Sequence, residues 1–71
     1  MTNTALLKAR IDQSGLKLQY IADNIGITRT SLYQKINNLS VFRVDEVEAL
    51  CKLLGITTLT EKNNIFFAKE E

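Results

Sequence analysis

The chain has 71 residues, enough for one domain near the lower size at which apolar burial alone holds a fold. It has no histidine and one cysteine, Cys51, so an internal disulfide or thiolate cluster cannot form, the commonest zinc ligand and general base is missing, and no metal or cofactor is expected. The net charge is only +1, but it is divided: Lys8, Arg10, Lys17, Arg29, Lys35 and Arg43 against Asp12 and Asp23 give +4 up to residue 43, and the remainder carries −3. Such asymmetry fits an electrostatic footprint in the first part of the chain, or simply a mixed, solvated surface. No apolar run approaches the roughly 20 residues a bilayer requires, and Met1-Thr2-Asn3-Thr4 lacks the layout of a signal peptide, so the expected location is the cytoplasm.

Proline is absent, and Gly15, Gly26 and Gly55 each follow a stretch with helical periodicity, where they read as helix stops. The first stretch runs from about Thr4 to Gln13, with Leu7 and Ile11 one turn apart and Asn3 or Thr4 as its cap. In the second, Leu18, Ile21, Ala22 and Ile25 fall at i, i+3, i+4 and i+7, one apolar helix face. The third, Thr28 to Asn37, has only Leu32 and Ile36 as apolar positions, with Ile27 just ahead. So narrow a buried stripe leaves Arg29, Thr30, Tyr33, Gln34 and Asn37 outward, with donors and acceptors suited to base edges and phosphates. Val47, Leu50, Cys51 and Leu54 repeat the spacing of the second helix, which assigns Cys51 to the core as an inert thiol. Thr58-Leu59-Thr60-Glu61 matches a capping box and opens a short last helix through Phe67. At least one of Phe66 and Phe67 is expected in the core, and Glu70 and Glu71 read as a solvated tail. Without repeats, low-complexity segments or linkers, residues 1–71 are expected to form one domain.

From Leu18 to Leu32 the chain has the physical design of a helix-turn-helix. Ala22 is small where two helix backbones approach, Gly26 tolerates positive φ in the turn, and Ile21, Ile25, Ile27 and Leu32 form the wedge between the helices. Thr28 is placed to cap the second helix, whose first turn then offers free amides and the positive end of a dipole. These residues, together with Leu16, Ile36-Asn37 and the run Cys51-Lys52-Leu53-Leu54-Gly55-Ile56, resemble the Cro and phage-repressor (XRE-type) helix-turn-helix family. The sequence departs from the family pattern at Lys17 and Leu18, where a capping hydroxyl and a backbone-contacting glutamine are usual, and lacks the common glutamate-asparagine-glycine end of the second motif helix.

The resemblance implies an all-α, compact five-helix lambda-repressor-like domain that binds double-stranded DNA and regulates transcription, in a phage or prophage lysis–lysogeny switch. It implies base reading by Arg29, Thr30 and Gln34, and contacts to the DNA backbone by Thr28, Ser31, Tyr33, Lys35 and Arg43. A homodimer on DNA is the expected assembly, with Ile65-Phe66-Phe67 as its apolar contact. The rival reading is a modulator of the same fold that acts by binding a partner phage repressor. An enzyme is not expected, since no phosphate loop or paired-acid constellation is present.

Overall fold

Local hydrogen bonds set where each helix begins and ends in the computed structural model, which describes residues 1–68. The expected tail at Glu70 and Glu71 lies outside these residues. Helix α1 (Thr4–Ser14) is capped by Asn3, whose side chain accepts the Leu6 N–H at 3.1 Å. Thr4 is used differently, its hydroxyl donating to the Ile36 carbonyl at 2.6 Å. Helix α2 (Leu18–Ile25) ends at Gly26, where φ is 81° and the amides of Gly26 and Ile27 both turn back to the Ala22 carbonyl at 3.0 Å. Helix α3 (Arg29–Ile36) starts from Thr28, whose hydroxyl accepts the Ser31 N–H at 3.0 Å. Helix α4 (Val44–Leu54) starts with the Arg43 N–H donating to Glu46 Oε1 at 2.8 Å.

Helix α5 (Leu59–Phe66) begins as half a capping box. The Thr58 hydroxyl accepts the Glu61 N–H at 3.2 Å, as the sequence predicts. The returning carboxylate is drawn elsewhere: Glu61 Oε2 lies 3.0 Å from Arg10 Nε, an ion pair whose geometry falls short of a hydrogen bond. Arg10 also donates through Nη2 to the Leu54 carbonyl at 2.9 Å, so one side chain ties α1 to the end of α4 and the first turn of α5.

Among the described residues there are five helices and no strand. Leu7, Ile21, Leu32, Leu50 and Ile65 are the large side chains wholly removed from water, one from each helix. Full burial of such a side chain contributes about 1.5–3 kcal/mol, so every helix is held to the same core. Phe66 is buried and meets Phe42 edge to face, ring centres 5.6 Å apart, while Phe67 stays exposed. The radius of gyration is 11.0 Å, which equals the value of about 11 Å expected for a compact chain of this length.

The N-terminal segment is part of this structure. Thr2 donates its N–H to Asn38 Oδ1 at 2.9 Å and accepts from Asn38 Nδ2 at 2.8 Å. The Asn3 N–H reaches the Ile65 carbonyl at 2.6 Å, and the Ala68 N–H reaches the Met1 carbonyl at 3.0 Å. Asn38 holds a φ of 61°, a left-handed conformation that asparagine tolerates better than most residues. Residues 1–3 thus strap the end of α3 to the end of α5.

Candidate nucleic-acid interface

The wedge between α2 and α3 follows the sequence reading. Ile21, Ala22 and Leu32 are buried, Ile25 and Ile27 pack against them, and α2 rests on both α3 and α4. With Leu32 and Ile36 turned inward, Arg29, Thr30, Tyr33 and Gln34 are left exposed along one side of α3. Arg29 and Tyr33 are one turn apart, as are Thr30 and Gln34, so the four form two adjacent ridges. Thr28 is exposed at the helix start and Ser31 is half-buried. The first turn of a helix leaves amides without intrahelical partners and carries the positive end of the dipole, which favours an anion there. Arg29 adds a formal charge and a planar pair of donors at the same place.

Arg43 lies outside α3, as the residue that caps the start of α4. Its Nε lies 3.3 Å from Asp45 Oδ1, with both side chains more than two-thirds exposed. Such a pair is worth little in water, so Asp45 does not prevent Arg43 from turning to a phosphate.

Lys35 does not join this face, which corrects the sequence-based grouping. It is buried, and its ammonium lies 2.6 and 2.8 Å from the two carboxylate oxygens of Glu46, itself buried. A lysine three residues after Leu32 and next to Ile36 falls on the inward stripe, and Glu46 stands beside Val47 on the inward face of α4. That spacing was visible in the sequence as a signal of burial. Burial pushes the Glu46 carboxyl upward, but the Arg43 N–H and the hydrogen bond and charge of Lys35 outweigh it and hold the group below the ordinary carboxylate range. Cys51 moves the other way: burial pushes its thiol up, which keeps it protonated near neutral pH.

One polar residue beside α3, Lys8, was not singled out from the sequence, whereas Asn37, expected outward, is half-buried. Lys8 and Asn37 border a groove of about 240 Å³ that also includes Asp12, Leu18 and Tyr33. Nothing local to Lys8 indicates that α1 runs beside the exposed side of α3. Its place depends on a long-range packing choice.

No cluster of three or more candidate metal ligands occurs among the described residues, and no helix there is long and apolar enough to cross a membrane. A family model described as helix-turn-helix matches residues 6–61, most of the chain. Comparisons with curated proteins and with solved structures gave no match. With α2, the Gly26 turn and α3 inside the matched span, the chain belongs to the Cro/repressor-like (XRE-type) helix-turn-helix family of DNA-binding transcription regulators.

Proposed function

We propose that this protein is a sequence-specific regulator of phage or prophage type, acting in a bacterial cytoplasm as a Cro-like switch in lysis–lysogeny control. One domain spanning residues 1–71 inserts α3 into the major groove of operator DNA. The exposed polar side of α3, backed by only Leu32 and Ile36 among apolar residues, carries this reading. Arg29 pairs with guanine O6 and N7, a contact that discriminates by about 1–3 kcal/mol, and Thr30 and Gln34 read neighbouring edges. Thr28, Ser31, Tyr33 and Arg43 hold phosphates and so fix the register. Lys35, committed to Glu46, takes no part, and Lys8 supplies a further backbone contact.

So few cations call for a second unit on the DNA. Leu39, Val41, Val44 and Phe67 are exposed large apolar residues, and they support a weak homodimer that becomes stable on a two-fold operator. The same apolar surface favours a second reading, in which a partner repressor is the target.

Selection from a randomised duplex library followed by anisotropy titration at two salt concentrations tests the two. The proposal expects one enriched sequence, bound more tightly than random duplex, with affinity falling steeply as salt rises. No enrichment and no salt-dependent binding would move the function to the partner protein.

A further inference from the structure

The buried ion pair between Lys35 and Glu46 lies outside the reading face, and buried pairs are seldom a net source of stability. Replacing such a pair by apolar groups of similar volume is often neutral or stabilising. Its geometry suggests another role. The two side chains are 10% and 5% exposed, and Lys35 Nζ contacts both carboxylate oxygens. Glu46 Oε1 also accepts the Arg43 N–H at 2.8 Å. One carboxylate therefore joins the last turn of α3, the end of the following loop and the first turn of α4.

Helix α3 packs mainly on α1 and α2, and its polar ties to the rest of the fold gather at its far end. Thr4 donates to the Ile36 carbonyl, Thr2 pairs with Asn38, and Lys35 meets Glu46. The near end, which carries Arg29 and Thr30, is held by the local Thr28 cap and by apolar packing. At about 1.5 Å per residue, the six steps from Lys35 to Arg29 span about 9 Å. A tilt of about 10° at Lys35 then moves Arg29 by about 1.6 Å, several times the roughly 0.5 Å that a working contact tolerates. Apolar packing fixes the spacing of helices without directional bonds, whereas a buried ammonium held by two carboxylate oxygens cannot be drawn away without leaving both charges unpaired.

Resting on the reading of α3 as the recognition helix, we propose that Glu46 is a positioning residue for DNA reading: through Lys35 it sets the angle at which α3 presents Arg29, Thr30 and Gln34. Neutralising both partners keeps the net charge and the phosphate contacts, so binding to random duplex is retained while discrimination is lost.

The test compares K35M/E46Q, which keeps an acceptor for the Arg43 N–H, with K35M/E46L, using the duplex the wild type selects from a random library and a random duplex. The expected result is a melting midpoint within about 5 °C of wild type, random-duplex affinity within about 2-fold, and a specific-to-random ratio lowered by about 10-fold. R29A should then cost less in the neutral-pair background than in the wild type, because the two sites act on one contact. A ratio unchanged in a folded double variant overturns the proposal, as does failure of both variants to fold, which would make the pair an ordinary stability element. If the wild type enriches no sequence, the DNA-reading function itself has failed, and the positioning role falls with it.

Discussion

Lys35 and Arg29 lie six residues apart on one short helix, yet their surroundings assign them opposite consequences on mutation. Lys35→Ala leaves the Glu46 charge buried without its partner, so it is expected to destabilise by about 3–5 kcal/mol, read as a lower denaturant midpoint. Arg29→Ala removes an exposed side chain and should leave that midpoint within about 0.5 kcal/mol, while relaxing base preference at one operator position. Equal losses on specific and random duplex would reject a reading role for Arg29. The lowered Glu46 pKa also has a sign. Because its folded value lies below the unfolded one of about 4.3, ionised Glu46 contributes stability that is fully present above that pH and is lost as pH falls through the folded value. Urea midpoints at pH 7 and pH 3.5 should therefore drop further for the wild type than for K35M/E46Q. Cys51, buried and with its thiol raised, should resist a maleimide in the native state and react once the chain is unfolded. Rapid native labelling would contradict its place in the core.

The helices themselves follow rules that operate within a few residues, and these were legible. Ile21 and Ala22, and Val47, Leu50, Cys51 and Leu54, are buried on the faces their spacing indicates. Gly26 ends α2 in the left-handed conformation and Thr28 caps α3. What was not legible depends on contacts far along the chain. Thr2 meets Asn38 across 36 residues, and Glu61 forsakes its own cap for Arg10. Two of the three residues expected to form a dimer contact, Ile65 and Phe66, are buried. At the helix crossing, Ala22 has no exposed surface, so Ala22→Leu is expected to overpack it and cost about 1–3 kcal/mol. An unchanged thermal midpoint would mean that the crossing has room. Gly26→Ala meets no atom within 4 Å of its new methyl group, so its cost, about 1–2 kcal/mol, comes from the left-handed backbone alone.

For the whole molecule, the five helices bring the exposed polar side of α3 and several exposed apolar residues onto one small body. The exposed Val41 and Phe67 border a groove lined also by Met1 and Phe66, and the proposed self-association would use this surface. Sedimentation at micromolar concentration is expected to find a monomer or a weakly dimerising species without DNA, whereas a full dimer would contradict weak association. The central claim is that α3 reads DNA. Titrating the wild type with its selected duplex while following backbone amide resonances tests it most directly. The account predicts the largest shifts from Thr28 to Gln34, with Arg43 following. Shifts confined to Leu39, Val41, Val44 and Phe67, with α3 unmoved, would contradict it.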